Sequence, residues 1–119
     1  MTEGYDKTLI QRELQQPCKF RQWLQSKDPI TCVGISNRGL SCPLATYLRD
    51  IHGQNNVSVG RSVIMDTRRL LDIDADNLAP DVKLPAWAEK FVTAVDHDAL
   101  GWEHAISAST ALRLLDEGL

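Results

Sequence analysis

Between Ile30 and Gly60 the chain reads as a strand, a tight loop, a helix and a second strand, and this run restricts the fold more than any other. Ile30-Thr31-Cys32-Val33-Gly34-Ile35 is rich in β-branched residues, which suit a pleated, half-buried surface. It is bounded by Pro29 and by Ser36-Asn37-Arg38-Gly39, and the loop leads into Ser41-Cys42-Pro43. Proline at a first helical position costs no hydrogen bond, because the N–H it lacks would have no partner there. Leu44, Tyr47, Leu48 and Ile51 follow at helical spacing as one apolar face, and Gly53 after His52 is a stop signal. From Val57 to Met65 apolar and small residues alternate around Gly60, the pattern of a strand with a bulge or of two short strands.

Helical patterns flank this run. Leu9, Ile10 and Leu14 predict an amphipathic helix from Tyr5 to Gln16 that stops before Pro17, with a first turn expected to fray for want of a strong cap. Residues 1–16 are therefore read as a docked or partly frayed helix. Phe20, Trp23 and Leu24 give the stretch from Cys18 to Ser26 a compact apolar face. Asp66 can cap a turn through Thr67-Arg68-Arg69-Leu70-Leu71, after which Asp72 to Lys83 reads as an irregular, solvated loop. Leu84-Pro85-Ala86 opens a helix to about Asp96 that carries Trp87, Phe91 and Val95. A last helix begins near Ser107, presents Ala108, Ala111, Leu112 and Leu115, and stops at Gly118. The expected fold is α+β: residues 1–119 as a single domain, with a small two- or three-stranded sheet from Ile30–Ile35 and Val57–Met65 packed against four or five helices. A parallel crossover and antiparallel pairing both fit a helix between strands. Trp23, Leu48, Trp87, Phe91 and Leu112 are the expected core.

Composition narrows the function classes. With 119 residues and 43% apolar content, the chain can build a core without disulfides or a structural metal. Thirteen basic against 16 acidic side chains leave a net charge of −3, which argues against binding nucleic acid through phosphate neutralisation. No apolar run approaches the roughly 20 residues that span a bilayer, so no membrane partner is expected. Met1 to Asp6 lacks a basic, then apolar, leader pattern, and three cysteines fit free thiols in a reducing compartment; the expected location is cytoplasmic. A Cys32–Cys42 disulfide across the loop stays open, since spacing says little about Cβ geometry.

Cys42 is the candidate for chemistry, because unpaired N–H groups and the helix dipole favour a thiolate or a bound anion at a helix start. Known thiol templates do not fit. A phosphatase-type loop needs arginine six positions after the cysteine, where Leu48 stands and Arg49 falls one late; a thioredoxin-type motif needs cysteine where Ala45 stands. No catalytic residue is therefore assigned, with Cys42 as the weak candidate, and Arg38, Ser41, Cys42, Arg49 and Arg61 are grouped as an anion site. Cys32, Cys42, His52, His97 and His104 are ligand types for zinc, but no pair has the local spacing of a zinc site. The acidic run Asp72-Ile73-Asp74-Ala75-Asp76-Asn77 opens like a calcium loop, yet Asn77 and Lys83 stand where glycine and glutamate are needed. No metal and no cofactor is expected.

The last fifteen residues, Ala105 to Leu119, resemble the second helix of bacterial helix-turn-helix repressors. The resemblance implies that Ser107, Ser109, Thr110 and Arg113 face DNA and that Phe91 to Asp98 is the preceding helix. The charges point elsewhere: Asp96, Asp98, Asp116 and Glu117 surround the segment without a basic cluster, which suits a capped terminal helix closing a core. The expected function is a non-catalytic protein-interaction or regulatory module with another protein as partner. The alternative is a small anion-binding or thiol-dependent enzyme domain at the Cys42 helix start, and DNA binding through the last helix is third.

Overall fold

The computed structural model describes residues 6–67, 81–98 and 102–118. In chain order the elements are α1 (Lys7–Leu14), α2 (Pro17–Gln25), β1 (Cys32–Ile35), α3 (Pro43–His52), β2 (Val57–Val59), β3 (Val63–Asp66), β4 (Val82–Lys83), α4 (Ala86–Asp98), β5 (Ala105–Ser107) and α5 (Ala108–Gly118). The class is α+β, with five helices and two small antiparallel sheets among the described residues. The expected turn over Thr67–Leu71, with Arg68 and Arg69, and the acidic run Asp72–Asn77 fall outside the described residues beyond Thr67. No helix among the described residues is long and apolar enough to cross a membrane.

Several helix ends have a visible local cause. Asp6 caps α1, its carboxylate accepting from the Leu9 N–H at 3.2 Å, so the expected fraying for want of a cap is corrected. Pro17 opens α2 and Pro43 opens α3. Gly53 ends α3 at φ 64°, a left-handed conformation that an L side chain resists, and its N–H returns to the carbonyls of Arg49 and Leu48. The hydroxyl of Ser107 accepts from the Thr110 N–H at 3.2 Å and so caps α5.

The strands depart from expectation in their partners. Val57–Val59 and Val63–Asp66 form a hairpin, with Val57 opposite Asp66 and Val59 opposite Ile64, and neither pairs with β1. β1 instead pairs antiparallel with β5, with a shift in register between Cys32 and Gly34. Residues 105–107, read from sequence as the approach to a helix, are thus a strand that buries Ile106. Val82 and Lys83, read as the end of a solvated loop, form the third strand of the hairpin sheet against Val63 and Ile64.

Helices join the two sheets. Phe20 of α2 is 1% exposed, and its ring centroid lies 6.0 Å from Trp23, 5.2 Å from Tyr47, 5.9 Å from Trp87 and 5.1 Å from Phe91. Rings at these separations, with Tyr47 and Phe91 edge to face, add contact energy to their burial. Trp23, Leu48 and Phe91 are buried as expected, while Trp87 and Leu112 pack at the core's edge. Ile51, expected on the apolar face of α3, is 49% exposed because the helix's last turn passes beyond the core.

At the junction of β1 and α3 the backbones nearly touch. A Cβ at Gly34 would lie 2.4 Å from the Pro43 nitrogen and 2.7 Å from the Cys42 carbonyl carbon. Because backbone and not a flexible side chain fills that space, Gly34→Ala is expected to cost about 3 kcal/mol, the upper end for overpacking. Urea unfolding checks this: a midpoint equal to that of the wild type would show that the junction can move apart.

Candidate functional site

The loop from Ser36 to Cys42 is held at both ends. Ser36, fully buried, donates its hydroxyl to the Trp102 carbonyl at 2.8 Å and accepts from the His104 N–H at 2.9 Å. Asn37 takes a left-handed φ of 58°. Its N–H donates to the Asp96 carboxylate at 2.9 Å and its side-chain amide to the Trp102 carbonyl at 2.9 Å. Short polar side chains tolerate that conformation better than most. On the other side, the Val59 N–H donates to the Gly39 carbonyl at 2.9 Å, which draws the loop against the hairpin.

These contacts bring part of the expected anion site together by an unforeseen route. Arg38, Cys42 and Arg61 line one cleft with Asn37, Val59 and Asp96, although β1 and β2 do not pair. Ser41 and Arg49 are not among its lining residues. Ser41 shapes the turn, its carbonyl accepting from the Ile35 N–H at 2.7 Å, and Arg49 reaches back to the Leu40 carbonyl at 3.4 Å. The cleft holds about 150 Å³, and Asp96 on its wall offsets part of the arginine charge.

At Cys42 two effects oppose one another. Burial pushes the thiol up to about 11, while the N–H groups of Ala45 and Leu44 pull it down; Asp96 raises it further and Arg49 lowers it. A helix start contributes typically 0.3–1 kcal/mol, less than about one pKa unit, whereas full burial can shift a group by about 3–5 units. With only 6% of Cys42 exposed, burial wins. Cys32 and Cys42 are both free, the first exposed and the second buried, and Cys18 is a third free thiol on the surface. Among the described residues no group of three or more His, Cys, Asp or Glu side chains is arranged to hold a metal.

A second polar cluster was not anticipated. Glu13 of α1 is buried, and its carboxylate accepts from the Tyr47 hydroxyl at 3.0 Å, with His52 Nε2 at 3.2 Å and Lys19 Nζ at 3.7 Å. Burial alone would raise the Glu13 carboxyl, but the Tyr47 hydrogen bond, His52 and Lys19 together hold it below its ordinary value. The Tyr47 hydroxyl is pushed up by burial and by the adjacent carboxylate. These groups line an open cleft of about 390 Å³ between α2 and α3, with Trp23 and Ile51 on its walls. The one local signal was Glu13 on the apolar side of its helix, three residues from Ile10 and beside Leu14.

Set against known proteins, the chain matches no family model, no curated protein and no solved structure.

The opposite settings of the thiols are measurable. With a small alkylating reagent under native conditions, Cys18 and Cys32 are expected to react while Cys42 stays protected until the pH approaches 11 or the protein unfolds. Rapid labelling of Cys42 near neutral pH would contradict its burial.

Proposed function

We propose that this chain is a non-catalytic binding module whose partner is another protein, met at the cleft beside the start of α3. What supports this most is the seating of Cys42: the thiol singled out as a candidate nucleophile is buried in the cleft wall, while the guanidinium-bearing residues at the rim, Arg38 and Arg61, are exposed. A volume of about 150 Å³ suits one side chain or a terminal carboxylate. Pockets that engulf small molecules run to roughly 300–1,000 Å³. Arginine suits such a contact because its planar fork can grip a carboxylate with two hydrogen bonds. An acidic side chain of the partner is therefore the natural occupant, and Asp96 confines it to the arginine side.

The anion reading rests on the same observation that Arg38 and Arg61 share one cleft. Binding to DNA through α5 has less in its favour. Ser107, Ser109 and Thr110 hydrogen-bond among themselves at the helix start, and Arg113 lies 3.5 Å from Glu117. Free thiols at Cys18, Cys32 and Cys42 go with a reducing, cytoplasmic setting.

Retention of proteins from a cell lysate, compared between the wild type and an Arg38→Glu, Arg61→Glu double variant, tests the proposal alongside a phosphate titration followed by NMR. A protein held by the wild type and bound at least about tenfold more weakly by the double variant is expected, a loss of about 1.4 kcal/mol or more. Equal binding by both would remove the cleft from the interface. Phosphate shifts confined to residues 37–42 and 58–61, with no protein retained, would favour the anion reading instead.

A further inference from the structure

α1 is fastened to the end of α3 at both of its own ends. At its start, the Asp6 N–H donates to the Gln54 side-chain carbonyl at 2.6 Å, and the Gln54 amide donates to the His52 carbonyl at 3.0 Å. Toward its end stands Glu13, with Tyr47 and His52 of α3 and Lys19 of α2 around its carboxylate. Leu14 closes the helix with its carbonyl accepting from the Trp87 indole at 2.6 Å. Of these ties, the contact with His52 is the one whose strength depends on a proton near neutral pH, since imidazole is the side chain whose charge ordinarily changes in that range.

The geometry of that contact makes the charge matter. His52 Nε2 is buried and lies 3.2 Å from Glu13 Oε1 without the geometry of a hydrogen bond, and among the described residues no other partner reaches the nitrogen. A neutral ring gains little there: without a proton on Nε2 a lone pair faces the carboxylate, and with one the donor points past it. An imidazolium gains from Coulomb attraction at any angle, and the buried site weakens solvent screening. Glu13 is placed to receive it, because its carboxylate already accepts from the Tyr47 hydroxyl at 3.0 Å. The titratable and charged groups lining the cleft around His52 are Glu13 from α1, Lys19 from α2 and Tyr47 from α3 itself. Lys19 sits farther out, at 3.7 Å and half-exposed, so its contact with Glu13 is the more screened of the two.

We propose that Glu13 and His52 form a proton-operated latch, which holds α1 on the C-terminal end of α3 when His52 is protonated and loosens it when His52 is neutral. Ile10 and Leu14 are buried and do not depend on the His52 proton, so loosening means more frequent local opening of α1 and not its departure. The latch is independent of the partner proposed above, since it lies in a different cleft and on other residues.

Native-state hydrogen exchange, with each protection factor corrected for intrinsic exchange at its pH, tests the latch directly. From pH 6 to pH 8 the protection of the Ile10 to Leu14 amides is expected to fall about three- to tenfold, the range for loss of a partly buried charged contact. Protection of the Ala88 to Val92 amides in α4 is expected to hold. His52→Gln, neutral at every pH, should flatten the α1 response, and Lys19→Met should preserve it. An unchanged slope in His52→Gln overturns the latch. So does a wild-type α1 whose protection is flat, or falls only in step with α4.

Discussion

The packing of Phe20 is the constraint on which the rest of the molecule depends. Among the described residues no strand of the two-stranded sheet pairs with a strand of the three-stranded one. Sheets this small are marginal by themselves, so each must be backed by helices. Phe20 supplies that backing from α2, with Tyr47 of α3 and Trp87 and Phe91 of α4 around a single ring. α3 then carries the position of β1 through the close approach of Gly34 to Pro43, and α5 leaves directly from β5. On the surface the same helices are tied by Arg21 of α2, whose guanidinium grips Asp116 of α5 at 2.8 and 3.1 Å. That pair is exposed, so it fixes register more than it stabilises.

Much of this was legible in the sequence where the signal is local. Pro43 and Gly53 bracket α3 to the residue, because a missing N–H and a positive φ are properties of single residue types. Phe20, Trp23 and Leu24 declared the buried side of α2 by spacing alone. What was not legible is strand pairing. Ala105-Ile106-Ser107 is too short to show alternation, and its partner lies 70 to 75 positions away at Cys32–Ile35. Val82 and Lys83 follow a stretch of aspartates and gain strand character only from the hairpin beside them. The capping of α1 by Asp6 is readable in principle, since aspartate is among the favoured capping residues, but the apolar spacing alone does not fix the first turn of the helix.

The two polar clefts show the same division. Arg38, Cys42 and Arg61 were grouped from sequence on the supposition that β1 and β2 are neighbours; they meet because Gly39 and Val59 are hydrogen-bonded, while Ser41 and Arg49 serve the turn. At Cys42 the helix start favours a thiolate, but burial, which the chain imposes by closing the loop over it, outweighs that pull. Glu13, Tyr47 and His52 could not be joined from sequence at all, because Tyr47 is 34 positions from Glu13 and reads as one more apolar residue on its helix face. In both clefts the chemistry is set by tertiary neighbours that satisfy or seal a reactive group.

The central claim is that one aromatic cluster makes the two sheets a single cooperative unit. Equilibrium urea unfolding, followed by tryptophan fluorescence for the cluster and by NMR signals of Val33 in β1 and Ile64 in β3, tests it most directly. Coincident transitions are expected for all three signals, together with a loss of about 3–5 kcal/mol and of that coincidence in Phe20→Ala. Separate transitions for Val33 and Ile64 in the wild type would contradict it, for the sheets would then be held by independent cores.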